Sequence, residues 1–475
     1  LYCNPGQVDY QEKVSINQTI GQNYGDVTSL LRTTFRIDIS NISVNFEYFP
    51  NSFFVNCEAE LRFSMYDDSQ RPIFHLTPFV SDSTAISRIE LNGETLDPSN
   101  SSDIRLIDIE GSSQQAIECQ RYLNSGIDQR LVVHYRINLS ENYYMFSTQV
   151  SDLYGRGNEQ MFPTINRPAE LARHQFRFKI NGDMRFRFLG SGLVTDTSDN
   201  SGQSWTLDTE REVASYTVMF VLFPEADTLL RRQTIDGVDV QIMAFSGGAS
   251  IEKAIGMLQS WLPELRQNIG DYPMPRGLSI FLTNGGGGME YYGATISSIR
   301  ALRHEIFHMY FACSTVNKTY RDSWFDEAVN EWYEHSGLGD LSSIPDNYSS
   351  NIVSGRSPVQ VGFDGRAYTE GAQILHHIAL NMGGRQAMIG FLQYLHKNYI
   401  FKPFTTAELL KYLQDYSGLD YRSQFENWVY SGETGTHSPQ SKTSCSTHLC
   451  GHNIDMLPPP HILKKYRSIR IGEKQ

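Results

Sequence analysis

The residues best suited to do chemistry are two histidines and two glutamates whose spacing fits one metal ion. His304 and His308 flank Glu305 in a His-Glu-x-x-His run, and eighteen residues separate this run from Glu327. Positions i and i+4 of a helix share one face, so both imidazoles can bind the same ion. We therefore expect one Zn²⁺ held by His304, His308 and Glu327, with the fourth position left for water. Glu305, beside the ion, is then the general base.

The competing interpretation is a solvated acidic helix beside two core histidines. The five-residue run alone arises by chance in roughly one chain of this composition in fifty. Here a second predicted helix follows, which Asp322 or Ser323 can cap and on which Glu327, Glu331 and Glu334 form one stripe. Glu331 can orient a ligand histidine without binding the ion itself, and Glu334 is its rival for that role. A chance run would not be expected to bring such a helix, so the metal site is favoured.

Length and charge restrict the class of protein. With 475 residues the chain can bury more than one core, so two or three domains are expected. The formal charge of −13, without any dense Lys/Arg stretch, argues against a nucleic-acid partner. No apolar run is long enough to span a bilayer. The chain starts at Leu1 rather than Met, which indicates processing or trimming, and an exported location (periplasm, cell surface or extracellular) is favoured over the cytoplasm.

Six cysteines are too few for a disulfide-built scaffold but permit a few bridges. Cys3 is either a lipid-anchor cysteine or an ordinary terminal cysteine, and the second interpretation is favoured. Cys445, His448, Cys450 and His452 offer four ligands for a second zinc ion. A local Cys445–Cys450 disulfide, or no bond, is expected there instead.

The hydrophobic pattern changes along the chain. From about 30 to 224 it is typical of antiparallel β-structure. Alternate residues are apolar in 55–65 and 133–139, and Asn181-Gly182 predicts a hairpin between two alternating runs. From 225 to 435 the pattern is mixed α/β, with Ser250 as a helix cap and a Thr405–Glu408 capping box. Residues 1–29 form an N-terminal extension and residues 436–475, which include three consecutive prolines, a C-terminal tail.

Several motifs together resemble the aminopeptidase N family of gluzincin zinc metallopeptidases, over roughly residues 30–435. Phe162-Pro163 with Asn166-Arg167-Pro168 is similar to the family's element near the end of its sandwich. The others occur in the family's order and are Gly288-Met289-Glu290, the run from His304 to His308, Trp324 to Glu327, and Tyr368-Thr369-Glu370-Gly371-Ala372.

The resemblance implies a multidomain fold. An N-terminal antiparallel β-sandwich is followed by a thermolysin-like α+β zinc peptidase domain, without the large C-terminal helical domain of many members. It implies an aminopeptidase acting on peptides with a free N-terminus. Glu290 would bind the α-amino group beside Gly287, Gly288 and Met289, and Tyr368 would stabilise the oxyanion. From residue type alone, Tyr368 is one of 26 tyrosines that could be packing, and Glu290 could be an exposed acid on a flexible hairpin.

The chain also departs from the family pattern. Tyr291 replaces the asparagine that follows the exopeptidase glutamate, and Glu370 stands where lysine is common. Only thirteen residues separate Glu290 from His304, and the glycyl aminopeptidases, a neighbouring family, have a similar Gly-Gly-x-Glu segment. The alternatives are a zinc endopeptidase, a hydrolase of a non-peptide substrate, and an inactive peptidase-like binding protein. The last is least favoured because all three ligands and the base are present.

Overall fold

The chain divides into two compact units, with the boundary between residues 316 and 317. The computed structural model describes residues 36–76, 86–108, 115–139, 146–148, 161–165, 170–315, 317–318, 322–337, 339–345, 347–350, 352 and 366–429. The described residues up to 315 belong to the first unit and those from 317 onward to the second. The predicted domain boundaries after residues 29, 224 and 435 stay predictions.

The first unit begins with a long β-rich part, as the alternating pattern predicts. Its strands are β1 (Ile37–Phe49), β2 (Phe54–Met65), β3 (Ile73–His75), β4 (Ile86–Leu91), β5 (Glu94–Leu96), β6 (Ile104–Asp108), β7 (Gln115–Cys119), β8 (Gln129–Asn138), β9 (Phe146–Ser147), β10 (Leu171–Ile180), β11 (Phe186–Gly190), β12 (Leu193–Asp196), β13 (Gln203–Ala214) and β14 (Phe220–Pro224). They form an eight-stranded sheet, β12-β13-β10-β1-β2-β8-β4-β5, and the smaller sheets β11-β14-β9 and β3-β7-β6.

Within the large sheet, one pairing differs from the antiparallel prediction. β1 and β10 run parallel, while every other neighbouring pair of that sheet is antiparallel. The predicted alternation is confirmed in β2 and β8, where every second residue from Val55 to Ala59 and from Val133 to Ile137 is buried and the residues between these are half-buried or exposed. Burial of one face therefore set the side-chain pattern.

The hairpin predicted at Asn181-Gly182 is wrong. β10 ends at Ile180 and β11 begins at Phe186, but the two strands lie in different sheets. β10 pairs with β1 and β13, whereas β11 pairs with β14. Gly182 supplies a positive φ of 119° as the chain passes from one sheet to the other. An alternating pattern specifies which face is buried, but not which strand is the neighbour.

The small sheet that contains β14 lies between two other layers. On one face, the Phe220 ring lies 5.5 Å from Phe46 of β1 and 4.8 Å from Phe178 of β10, between ring centroids. On the other face, the Phe223 ring stacks on Phe281 at 4.6 Å. All five residues of β14 are buried as a result, because a strand covered on both faces is apolar throughout.

Phe281 belongs to a mixed five-stranded sheet that completes the first unit. Its strands are β15 (Thr228–Ile235), β16 (Val238–Phe245), β17 (Leu278–Thr283), β18 (Gly288–Tyr291) and β19 (Ala294–Ser298), in the order β15-β16-β17-β19-β18. β16, β17 and β19 are parallel, and α1 (Ile251–Asn268) connects β16 to β17. The predicted cap is confirmed, since Ser250 accepts a hydrogen bond from the backbone of Lys253. The short helix α2 (Leu302–Phe307) follows the sheet.

Helices make up most of the described residues of the second unit. They are α3 (Trp324–His335), α4 (Arg366–Asn381), α5 (Arg385–Tyr399), α6 (Thr406–Ser417) and α7 (Arg422–Trp428). The Thr405–Glu408 capping box at the start of α6 is confirmed. Of the two predicted caps of α3, Ser323 is wrong, because it makes no side-chain capping bond. The Asp322 carboxylate accepts hydrogen bonds from the backbone and hydroxyl of Thr406.

Three of the six cysteines lie in the described residues, and all three are buried free thiols. They are Cys57, Cys119 and Cys313. Burial raises the pKa of Cys119 to about 12, so it stays a neutral core thiol near pH 7. Cys3, the cluster from Cys445 to His452 and residues 166–168 lie outside the described part. Among the described helices, none is both long and apolar enough to cross a membrane.

A buried histidine in the β-rich part makes folding sensitive to acid. His174 is fully buried, and its Nε2 lies 2.9 Å from Ser215 Oγ, which accepts a hydrogen bond from Thr164. Desolvation by burial lowers the pKa of His174 from 6.5 to about 3. The unfolded chain therefore binds a proton near pH 6.5 that the folded protein binds only near pH 3. Stability should fall as the pH drops through this interval, by about 1.4 kcal/mol per pH unit.

We predict that His174→Gln removes this slope, because glutamine stays polar but does not titrate. Urea unfolding at a series of pH values between 7 and 3 gives the free energy of unfolding at each pH, and so the slope. Ser215→Ala is the control: it removes the hydroxyl but keeps the buried imidazole, so its stability should retain the pH dependence. A wild-type slope in His174→Gln would show that other groups cause the acid sensitivity.

Candidate metal centre

The His-Glu-x-x-His run lies on α2, which has six residues and ends at Phe307. His308 follows as the C-terminal cap, still in helical conformation (φ −59°, ψ −20°), and its N–H donates to the carbonyl of His304 at 3.2 Å. The helical spacing of the two histidines is thus preserved, with their ring centroids 4.8 Å apart. The two rings are neighbours, as the i, i+4 argument predicts.

The tautomer of His308 follows from a contact with the backbone carbonyl of Phe311, three residues later in the chain. His308 is buried, and its Nδ1 lies 3.2 Å from the carbonyl oxygen of Phe311. A carbonyl oxygen can only accept, so Nδ1 carries the proton and Nε2 presents its lone pair. A backbone carbonyl that fixes the imidazole in this way is typical of histidines that bind metal.

Glu305 lies against the β18 strand. Its side chain is buried, with 4% relative exposure, and a Cβ atom added at Gly288 would lie only 2.6 Å from Glu305 Cδ. Gly288 therefore makes room for the carboxylate of the predicted base, and any larger residue at that position would displace it. This role is additional to the substrate-binding role that the family resemblance implies for Gly288, which stays a prediction.

Strand β18 brings a second carboxylate to the same place. Met289 packs on the core cluster and Tyr291 belongs to it, so alternation puts Glu290 on the opposite face of the strand. Glu290, Glu305 and His308 each offer a ligand atom, and these atoms lie within 4.8 Å of one another. The half-buried Glu290 thus lies beside the predicted base and a predicted ligand, all in the first unit.

The same alternation explains the departure at Tyr291. Its side chain is fully buried among residues such as Phe281 and Ile296. A position that faces an apolar core favours an aromatic residue over an amide. Tyr291 is therefore a core residue in this chain, on the face of β18 opposite to Glu290.

Backbone contacts hold β18 at the edge of its sheet. In the described residues it pairs with β19 alone, with Glu290 opposite Thr295. The Thr295 hydroxyl donates to the carbonyl of Met289 at 2.9 Å, and the backbone of Ser298 donates to the carbonyl of Gly287 at 2.9 Å. Gly287 and Gly288 are buried. An edge strand of this kind can pair with an extended peptide.

In the second unit, Glu327 lies in the first turn of α3 with 5% relative exposure. Its backbone N–H donates to Asp326 Oδ1 at 2.8 Å, and Asp326 Oδ2 accepts from Asn317 Nδ2 at 3.1 Å. The Tyr368 hydroxyl on α4 donates to Glu327 Oε1 at 2.7 Å. The structure therefore brings together two of the predicted site residues, Glu327 and Tyr368.

Close approach of α3 and α4 makes the Tyr368–Glu327 contact possible. A Cβ atom added at Gly371 would lie 2.7 Å from Ala328 Cβ and 3.6 Å from the Trp324 ring. Gly371 is one turn after Tyr368, and Ala328 is next to Glu327, so the small pair lies beside the hydrogen bond. The Tyr-x-x-Gly motif is thus explained locally: the glycine lets the helices approach and the tyrosine uses the short distance.

Two other acids of this unit, Glu331 and Glu370, have identified neighbours. Glu331 Oε2 lies 3.4 Å from His335 Nε2, one turn later on α3. Glu370 accepts hydrogen bonds from the hydroxyls of Ser350 and Tyr348, the latter at 2.9 Å. Burial, and then the bond to Glu370, raise the pKa of Tyr348 to about 12. The roles predicted for Glu331 and Glu334 stay predictions.

Asp326 and Asn317 were missed by the sequence analysis. Asp326 precedes the predicted ligand directly, and an acid in the first turn of a helix was a usable signal. Asn317 had no such signal, because its partner Asp326 lies nine positions later in the chain. Gly371 was noticed only as part of a motif, without its packing role.

Comparisons with known proteins place the fold. No protein-family model matches the sequence, and no curated protein does. Among solved structures, an M1 zinc metallopeptidase from Deinococcus radiodurans is similar with a TM-score of 0.63 at 18% identity, over 86% of this chain and 97% of that one. Legionella pneumophila aminopeptidase A has a TM-score of 0.67 at 12% identity, over 83% of this chain and 49% of that one. Yeast LTA4 hydrolase has a TM-score of 0.63 at 12% identity, over 90% of this chain and 73% of that one.

These similarities establish a fold and no more. The chain has a β-rich N-terminal part followed by an α+β part, similar to the M1 zinc metallopeptidases and to LTA4 hydrolase. The predicted resemblance to gluzincin peptidases is confirmed at this coarser level.

Proposed function

We propose that the protein is a zinc-dependent aminopeptidase that removes N-terminal residues from peptides. The observation that carries the proposal is the cluster of Glu290, Glu305 and His308, whose ligand atoms lie within 4.8 Å of one another. A base, an amine-binding carboxylate and a metal-binding imidazole are the groups that such a reaction needs in one place.

The residues present fit a zinc ion. His304, His308 and Glu327 would hold it, since each offers a ligand atom of a type that Zn²⁺ prefers. The His308 tautomer, fixed by the Phe311 carbonyl, supports this fit independently. When bound, zinc supplies Lewis-acid chemistry, which lowers the pKa of water and polarises the scissile carbonyl.

Glu305 does the proton transfer in this proposal. Its carboxylate takes a proton from the attacking water and gives it to the nitrogen of the leaving amine. The narrow space beside Gly288 keeps the carboxylate in one place. This matters because a shift of about 1 Å in a reacting group can cost 100-fold in rate. The Tyr368 hydroxyl would donate a hydrogen bond to the oxygen of the scissile carbonyl as negative charge develops there.

Glu290 makes the enzyme an exopeptidase in this proposal. The substrate would extend along the edge of β18, as peptides add to exposed sheet edges. Its protonated α-amino group would then pair with the Glu290 carboxylate, which limits cleavage to the first bond. A variant of the Deinococcus enzyme was solved with the substrate Tyr-Ser-Ala, which supports a peptide substrate here.

Two assays test the proposed function. Metal analysis should find one zinc ion per chain, and one peptide sequence should be cleaved with a free N-terminus but rejected when acetylated. Cleavage of both forms would indicate an endopeptidase. Zinc without cleavage of either form would favour a hydrolase of a non-peptide substrate, an alternative kept by the similarity to LTA4 hydrolase.

For Glu290→Ala we predict a higher KM for peptides with a free N-terminus and a fall in kcat/KM of about 10–100-fold, the usual size for a lost bond to a charged group. The ratio of kcat/KM between free and acetylated peptides should approach one. Glu290→Gln separates charge from shape: it keeps the shape of the side chain without its charge and should lose the same preference. If both variants still reject the acetylated peptide, the amine is bound elsewhere.

A further inference from the structure

We propose that Tyr368 is also a positioning residue for Glu327 and so raises the affinity of the protein for zinc. This inference rests on the proposed zinc site. It adds to the oxyanion role a second task for the same hydroxyl, performed before any substrate is present. The contact that points to it lies wholly within the second unit, between α3 and α4.

The geometry of the contact is that of a strong bond. The Tyr368 hydroxyl donates to Glu327 Oε1 at 2.7 Å, within the usual length of an O–H···O hydrogen bond. Glu327 is buried to 5% exposure, where such a bond is stronger than at the surface. The bond limits rotation of the carboxylate, because turning it would break an interaction that water does not replace easily.

The backbone of Glu327 is held as well as its side chain. Asp326 Oδ1 accepts from the Glu327 N–H at 2.8 Å, and Asn317 holds the other oxygen of Asp326 at 3.1 Å. The carboxylate is therefore fixed from both ends, through its own backbone and through Tyr368. Partners of this kind typically change metal affinity by about 10–100-fold, because they orient the ligand before the ion arrives.

The packing of α3 on α4 supports the same conclusion. Gly371 and Ala328 are the small residues where the two helices approach closely. Gly371 lies one turn after Tyr368, and Ala328 directly follows Glu327. Without this approach the tyrosine could not reach the first turn of α3. The sequence thus specifies a short interhelical distance at the point where the bond to Glu327 forms.

The experiment compares two tyrosine variants that each lose a hydroxyl donated to a carboxylate of this unit. Tyr368→Phe removes the bond to Glu327. Tyr348→Phe removes the bond to Glu370, which has a length of 2.9 Å and does not involve a proposed ligand. Zinc affinity is measured for the purified apoprotein by competition with a chromophoric chelator, with no substrate present. We expect about 10–100-fold weaker zinc binding in Tyr368→Phe and wild-type affinity in Tyr348→Phe.

A second readout separates positioning from catalysis. At saturating zinc, Tyr368→Phe should recover full metal occupancy but keep a low kcat, because the oxyanion donor is still missing. Equal zinc affinity in Tyr368→Phe and wild type would overturn the inference and leave the proposed function standing. Equal losses in both tyrosine variants would overturn it too, since the effect would then be structural. Failure of the wild-type protein to bind zinc would instead overturn the proposed function.

Discussion

Glu305→Gln should lose activity by about 10²–10⁴-fold while it keeps its zinc. This range is the usual contribution of a positioned general base. Glutamine has nearly the same shape, so it fits the space that Gly288 leaves beside the side chain, but it cannot accept the proton from water. The measurement is kcat on a peptide with a free N-terminus, together with metal analysis of the same preparation.

Glu252→Gln is the matched control for that variant. Glu252 lies on α1 of the same unit, and its side chain is 75% exposed, so loss of its charge should leave both zinc and kcat unchanged. Retention of more than a few per cent of the wild-type rate by Glu305→Gln would assign the base to another residue. Glu290 would be the first to consider, because its carboxylate lies within 4.8 Å of Glu305 and His308 ligand atoms.

The parts of the molecule that could be predicted from sequence are those governed by local spacing. The i, i+4 histidines share one face of a helix, and the capping residues Ser250 and Thr405 lie within one turn of the groups they satisfy. The alternation in β2 follows from a period of two. Each of these patterns is complete within about a dozen residues, so no knowledge of the rest of the chain is needed.

Long-range partners could not be predicted in the same way. β10 and β11 look like a hairpin, yet β11 pairs with β14, thirty residues later. Asp322 is well placed in sequence to cap α3, but it bonds Thr406, eighty-four residues away. In both cases a local interaction competes with a distant one of the same type, and packing of the whole unit decides between them.

The site shows the same division. The types and spacing of the ligands were visible in the sequence, whereas the space beside Gly288 and the bond from Tyr368 to Glu327 depend on how a strand and two helices pack. Tyr291 is instructive because it departs from the family pattern at a position that faces the core. The motif on β18 therefore contains residues under two different constraints: chemistry at Glu290 and packing at its neighbours.

Glu327→Ala should weaken zinc binding by more than the 10–100-fold typical of residues that only orient a ligand. It leaves two imidazoles for an ion that takes three protein ligands in sites of this type. The side chain is buried, so its removal also leaves the Tyr368 hydroxyl without the acceptor it has at 2.7 Å. Zinc retained after dialysis against a mild chelator measures the effect, and peptide hydrolysis should fall in proportion to the zinc that is lost.

Glu331→Ala and Glu334→Ala, on the same helix, are the controls for this variant. The variant that removes the residue orienting a ligand histidine should bind zinc about 10–100-fold more weakly, and the other variant should bind it as the wild type does. Glu331 has a competing neighbour in His335, 3.4 Å away, so part of its effect should depend on that contact. If Glu327→Ala keeps stoichiometric zinc while Glu331→Ala loses it, then Glu331 is the third ligand. The hydrogen bond from Tyr368 would in that case hold a carboxylate that does not bind the ion.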